Sequence, residues 1–510
     1  MHSGKIGKTI LVGFMLVMCI PVHAFAQGAS QDTAMLYATA TWHSVSAMFP
    51  DEARLPADNM RQDGSLAEYT SPTNMASYIW SAIAARDLGI ITPDEAASHI
   101  SRLLEAIAGL ERHEESGQFY NWYHPVTGEV LTRWPLSGGI VCPFLSSVDN
   151  GWLATALLMT QNAIPELASN AQDILQDMDF GFYYDPQVGL LRGGYWPPER
   201  QAAGSGCESG YTGHHYGTLN TEPRIASYVA IALGQVPPSH YFRMWRTFPM
   251  SCDWGWQEMR PEGENVTYSV VDSLPDEPAR VTDITVFEGH YVYRGMRIVP
   301  SWGGSMFEAL MPNLFVPEAV WGPDSWGINH PLYVQAQIEH GLIEAQYGYW
   351  GFSPASEPPE GYREYGVDAL GMLAEGYASD AGRTYVDYGF GNCTGRDARP
   401  VPDATDYQSG VVTPHAVFLA LEFAPGAVFE NLDRLRTDFD IYNDEYGFYD
   451  SVQVNNGSVA EVFLALDQGM IMAALANYQS GGVFRDYVAV EIEPDVRPLL
   501  EVETFTAGKD

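Results

Sequence analysis

The sequence predicts an all-α fold, a barrel of paired helices with aromatic-rich loops and short hairpins at one end. Three observations point to it. Apolar residues recur at helical spacing in segment after segment. Loops rich in glycine and aromatic residues separate these segments. No low-complexity linker cuts the 510-residue chain, so one large domain is expected.

In chain order, the first 26 residues read as a targeting segment. Lys5 and Lys8 form a basic start, Ile10 to Val22 an apolar core too short to span a bilayer, and Ala24-Phe25-Ala26 a cleavage site. The mature chain is expected to begin near Gln27, in the periplasm or outside. Met75, Ile79, Ala82 and Ile83 share a face of a helix ending at Gly89. Ile100, Leu103, Leu104 and Ile107 make the next. Leu153, Ala156, Leu157 and Thr160 follow, then Ile225, Tyr228, Val229 and Ala232, then Phe307, Leu310 and Met311. Leu464, Leu466, Met470 and Leu475 mark the last. Between them, Phe119 to Leu131 and Phe180 to Pro186 read as hairpins of aromatic residues. Pro261 to Thr285 is polar and looks like an insertion. Residues 27–487 are thus one barrel domain, and the alternation of Val488, Val490 and Ile492 makes 488–510 a strand or a tail.

Charge excludes several functions. The formal net charge is −38, so nucleic acid and anionic membrane surfaces are poor partners. No stretch beyond the targeting segment is apolar enough to insert in a membrane. Lysine occurs only at positions 5, 8 and 509. A lysine Schiff base or a phosphate-loop lysine in the folded body is thereby excluded. There is no Gly-x-Ser-x-Gly elbow, no His-Glu-x-x-His motif and no EF-hand loop, and no metal or cofactor is expected. Cys142, Cys207, Cys252 and Cys393 follow the targeting segment. One or two disulfides and buried free thiols are equally open readings.

Asp and Glu remain as the plentiful catalytic candidates, and 13 Trp with 29 Tyr supply rings for sugar stacking. Asp149, in Ser146-Ser147-Val148-Asp149, is either a first-turn acid or a site residue. Glu222 precedes Pro223 at a loop–helix junction, where Glu is a poor cap. Arg224 beside it suits a substrate contact or a structural ion pair. Trp302 and Glu308 flank Gly303-Gly304, which would let a ligand approach closely. Glu357, Arg363, Glu364 and Tyr365 lie in a polar-aromatic loop that reads as a binding wall. Tyr120 and His415 complete the candidates. An exported, carboxylate-rich helical barrel points to glycoside hydrolysis by a paired acid and base, with a polysaccharide as partner.

Several phrases in order resemble the bacterial glucoamylase-like domain family. They are Thr73-Asn74 through Gly89, Phe119 to Tyr123, Ser147 to Asp149, and Glu222-Pro223-Arg224 through Tyr228. Ser301-Trp302 through Pro312, Phe352-Ser353-Pro354, Tyr362 to Gly366 and Asp467-Gln468-Gly469-Met470 continue the series. The family is similar to secreted endo-β-1,2-glucanases. The resemblance implies an (α/α)6 barrel acting on β-1,2-glucan without a metal. It implies an essential role for Glu222 and a contribution from Asp149. Its hydrolases look inverting, and Asp403 or Asp406, on a late loop, is the expected base. Cys207 to His215 departs from the family's pattern. A transglycosylase that remodels chains and a non-catalytic periplasmic glycan-binding protein are the competing readings.

Overall fold

The computed structural model describes residues 22–248 apart from Ala203, and residues 261–274, 278–358, 361–372 and 410–509. Its helices are α1 (Val22–Ala47), α2 (Pro72–Asp87), α3 (Pro93–Ala108), α4 (Ser147–Ala163), α5 (Ala168–Leu175), α6 (Arg224–Ala232) and α7 (Met306–Leu310). There follow α8 (Glu318–Trp321), α9 (Trp326–Glu339), α10 (Pro414–Leu419), α11 (Pro425–Asp438), α12 (Ala465–Ser480) and α13 (Val483–Val502).

Burial sorts the helices into layers. From Pro72 to Ala85, α2 is buried on every side, and α4, α6, α10 and α12 are nearly so. A helix apolar all round must be enclosed by others. In contrast α3 buries one stripe, Ala96, Ile100, Leu103, Leu104 and Ile107, and α5 and α11 behave alike. Contacts run from α2 to α4, α4 to α6, α7 to α10, α10 to α12, and α12 back to α2. Arg224 joins α6 to α7 through the carbonyls of Glu308 and Ala309. Two glycines let enclosed helices pack closely. A Cβ on Gly151 would stand 2.6 Å from Ala226 Cβ, and one on Gly469 would stand 2.2 Å from Ser77 Oγ.

The structure differs from an all-α fold in one large feature. Glu262–Asp272 and Arg280–Tyr293 form a long antiparallel hairpin, extended by Met296–Ile298 and Gly508–Lys509 into a four-stranded sheet. Tyr268, Val270, Ile284 and Val286 point inward at alternate positions, which fixes the register. The described residues of the polar stretch from Pro261 to Thr285 belong to this hairpin, whose outer face is solvated. The loop hairpins are shorter than expected. Tyr184–Asp185 pairs with Leu190–Leu191, and Tyr123 bridges Val130.

The C-terminal expectation of a strand or tail over 488–510 is corrected. Val483–Val502 is a helix packed on α4, α6 and α12, and only Gly508–Lys509 is strand. Val488, Ile492, Val496 and Leu499 are buried at helical spacing, so the short alternation was a misleading sample of a longer period. Cys142 and Cys207 form a disulfide.

Candidate active site

The N-termini of α2, α4, α6 and α12 bring polar residues to one cavity of about 1060 Å³, whereas Glu308 and His415, expected to touch substrate, are buried and do not line it. The local cause is capping. Ser71 Oγ accepts from Asn74 N at 3.2 Å, Ser146 Oγ from Asp149 N at 3.2 Å, and Ser305 Oγ from Glu308 N at 3.3 Å. A capping serine orients the residue three positions on. In α12 the equivalent position is Asp467, three after Leu464. Asn74, Asp149 and Asp467 line the cavity, as does Glu222, immediately before Pro223 and the start of α6.

Glu222 is crowded by negative charge. Trp152 Nε1 donates to Glu222 Oε2 from a fully buried ring. Behind it, Glu308 accepts from Thr221 Oγ1 at 2.6 Å and from the Glu222 amide at 2.8 Å. Burial, then the charges of Glu308 and Asp149, push the Glu222 carboxyl far above the usual carboxylate range, against the lowering pull of Trp152 and Arg224. Burial likewise raises Glu308 to about 7, with the Glu364 charge adding to it. Thr73 Oγ1 donates to Asp149 Oδ1 at 2.6 Å. Asp58, missed in the sequence, lines the same wall and accepts from Asn74 Nδ2 at 2.7 Å. Burial and the Asp149 charge raise its pKa.

A second group stands at the heads of α10 and α12. Asp467 Oδ2 lies 3.0 Å from His415 Nδ1, and Asp450 accepts from the Ser356 amide. Thr413 Oγ1 donates to Asp450 O at 2.6 Å and contacts His415 Nδ1 at 2.7 Å. Burial raises Asp450 strongly, and the charge of Asp467 and a hydrogen bond to it raise it further. Asp467 is raised by burial to about 6, held from going higher by accepting from Asp450. Asp450 therefore holds a proton more tightly than Asp467. Burial lowers His415 to about 4, which makes it neutral. His415, Asp450 and Asp467 each offer a donor atom within 4.8 Å of the others, the one such grouping among the described residues. The spacing would accept a divalent cation, but the shared proton already offsets the paired carboxylates.

The remaining expected contacts divide. Arg224 is corrected from a substrate contact to a structural ion. It is fully buried, and all five of its donors are used. Nε and Nη2 clasp Glu318 at 2.6 and 2.9 Å, while Tyr228 and His330 complete the Glu318 carboxylate. Burial alone would raise Glu318, yet Arg224 holds it at about 2. Tyr120 is buried outside the cavity, with Arg200 over its ring at 5.6 Å. Arg363 binds Glu357 at 2.6 Å, and Tyr365 is buried against Ala355 and Val411. In that hairpin the cavity is met instead by Ser356, Gly361 and Tyr362. Glu364 is half-buried and does not line the cavity, and its charge acts on Glu308. Trp302, half-buried in a short strand paired with Gly371–Met372, is not among the described residues lining the cavity. Asp403 and Asp406 lie outside the described residues, as do Cys252 and Cys393.

Residues 275–491 match the family model described as "Putative glucoamylase", and residues 37–184 match one described as a protein of unknown function, DUF3131. The chain is 27% identical over 389 residues to the cyclic β-(1,2)-glucan synthase NdvB of Rhizobium meliloti. That alignment takes in 73% of this chain and spans only 11% of the length of the relative. The fold is similar to a putative glucoamylase from Bacteroides caccae, with TM-score 0.61, 17% identity, and 92% and 98% of the two chains covered. It is also similar to the endo-β-1,2-glucanase of Chitinophaga pinensis, with TM-score 0.60, 15% identity, and 92% and 98% coverage. The endo-β-1,2-glucanase of Talaromyces funiculosus matches with TM-score 0.60, 13% identity, and 93% and 91% coverage. The resemblance to the glucoamylase-like family thus extends from short phrases to the family model and the fold. At these identities the structural likeness establishes the fold alone.

Proposed function

We propose that this chain, with its glucoamylase-like fold, is an exported glycoside hydrolase that cleaves β-1,2-linked glucan with inversion. The cyclic order of contacts supports reading the enclosed helices as the inner ring of an (α/α)6 barrel, in the order α2, α4, α6, α7, α10, α12. In that ring α6 and α12 are opposite one another. Glu222 and Asp467 then face each other across the cavity mouth.

The observation that carries the reading is that two carboxyl groups border one cavity in different surroundings, Glu222 against a buried indole and Glu308, Asp467 against His415 and Asp450. Glu222 keeps its proton because burial and two neighbouring carboxylates disfavour its charge. Asp467 loses its proton above about pH 6 because Asp450 holds one for the pair. Two carboxyl groups pushed to different protonation states supply an acid and a base at one pH. Glu222 protonates the departing glycosidic oxygen. Asp467 takes a proton from a water that attacks the anomeric carbon from the opposite face. The new hydroxyl replaces the leaving sugar with inverted configuration. Asp149, held by Thr73, keeps Glu222 protonated and lies where it can bind a sugar hydroxyl.

The relatives named for β-1,2-glucan supply the substrate class. Export is supported by the basic-then-apolar first 26 residues and by the Cys142–Cys207 disulfide, a bond favoured outside the cytosol. The test is reducing-end release from linear β-1,2-glucan beside β-1,3-glucan and starch, with product anomers followed. Short β-1,2 oligosaccharides released as α-anomers support the reading; retained anomers or no release overturn it. The similarity to a cyclic glucan synthase favours one second reading, transglycosylation, which would give longer or cyclic products instead.

A further inference from the structure

Tyr69, Trp122 and Trp134 make a cluster at the cavity wall that the acid–base chemistry does not use. Their ring centroids are 5.6 Å apart for Tyr69–Trp122, 5.3 Å for Tyr69–Trp134 and 5.7 Å for Trp122–Trp134. Such packing usually belongs to a core, yet here it borders open space. A polar chain separates it from Glu222. Asn59 Nδ2 lies 3.0 Å from both Tyr69 Oη and Asp58 Oδ2, Asn74 links Asp58 to α2, and Thr73 holds Asp149. The cluster is therefore removed from the scissile bond but continuous with the same cavity.

Trp134 is carried by a small hairpin. Arg133 bridges Ile140, the Trp134 amide donates to Gly139 O at 2.8 Å, and Gly138 N donates back to Trp134 O at 2.8 Å. Gly138 turns the chain at φ +68°, a conformation few other residues adopt. Leu136 at the tip is 84% exposed and still borders the cavity. Trp134 packs on Tyr69 and Trp122, and the rest of the hairpin from 132 to 140 is exposed. Its anchors lie at the foot, where Cys142 is bonded to Cys207 and Gln201 Nε2 donates to Pro143 O at 2.9 Å.

We propose that Tyr69, Trp122 and Trp134 form a distal subsite for a glucosyl unit of the chain, and that the disulfide-tethered hairpin thereby sets a preference for long glucans. The proposal rests on the glycosidase reading and names where that substrate extends. A pyranose ring presents C–H groups that stack on such rings, and Leu136 closes the apolar lip. The tether matters because an ordered hairpin need not be immobilised at each binding event.

The test compares kcat/KM for long linear β-1,2-glucan with that for the shortest oligosaccharide cleaved. Trp134→Ala should reduce the long-to-short ratio about threefold to tenfold, mainly through KM for the long chain. Trp134→Phe should restore most of the ratio, since it keeps a ring. Replacing both cysteines, Cys142→Ser with Cys207→Ser, should reduce it less. A long-to-short ratio equal to wild type in Trp134→Ala overturns the subsite. A wild type that binds long glucan with quenched tryptophan fluorescence, lost in Trp134→Ala, but cleaves none keeps the subsite and overturns the glycosidase reading.

Discussion

Glu222 and Arg224 stand two residues apart at the head of α6, and the fold treats their charges in opposite ways. Arg224 is fully enclosed, and its bidentate partner Glu318 is completed by Tyr228 and His330. Every donor has an acceptor and the charge is balanced. Glu222 borders the cavity, with Glu308 behind it and Asp149 beside it, and its nearest hydrogen-bond donor is a neutral indole. Balance marks a group that holds helices together. Uncompensated like charge marks a group whose protonation state is being set.

The largest expected effect breaks the comparison on its catalytic side. Glu222→Gln keeps the shape and the Trp152 contact but removes the transferable proton. Turnover of β-1,2-glucan should fall by about 10²–10⁴ while the thermal unfolding midpoint stays near wild type. On the structural side, Glu318→Gln leaves a buried guanidinium unpaired and should cost about 3–5 kcal/mol in urea unfolding. The pair Arg224→Met with Glu318→Leu should cost much less, because no charge is then stranded. The Glu318 carboxyl also predicts acid behaviour. Its folded pKa of about 2 lies below its ordinary 4.5, so its contribution is present above pH 4.5 and is lost as pH falls toward 2. Circular dichroism during acid titration reads this loss.

A smaller effect sharpens the group at the heads of α10 and α12. Asp450 donates to Asp467 and lowers it toward about 6. Asp450→Ala removes that donor, so the acid limb of kcat/KM should move up by roughly one pH unit. Asp450→Asn retains a donor and should leave the limb near 6.

Much of this site was legible where it depended on local sequence. Ser146 three residues before Asp149, and Ser305 three before Glu308, announce capped helix starts. Glu222 stood out as a poor cap beside a proline. What could not be read depends on partners far along the chain. Arg224 and Glu318 are 94 residues apart, and only folding shows that one clasps the other. Asp58 reaches the cavity because Asn59–Arg61 pairs with Val462–Leu464. Asp450 is presented by Ser356 and Thr413, from two other loops. Asp467 did carry a signal, as the acid opening the Asp467-Gln468-Gly469-Met470 phrase at a helix start. The fold followed the same rule: long apolar periods were readable, whereas the solvated hairpin at Glu262–Tyr293 disguised itself as polar insertion.

The most direct test of charge crowding at Glu222 is the kcat/KM–pH profile of the wild type beside Glu308→Gln. Glu308 raises the Glu222 pKa by its charge, so its removal lowers that pKa. The account predicts a bell with an acid limb near 6 and an alkaline limb that moves to lower pH in Glu308→Gln, the acid limb staying in place. An alkaline limb that does not move would contradict the assignment of Glu222 as the acid held protonated by its neighbours.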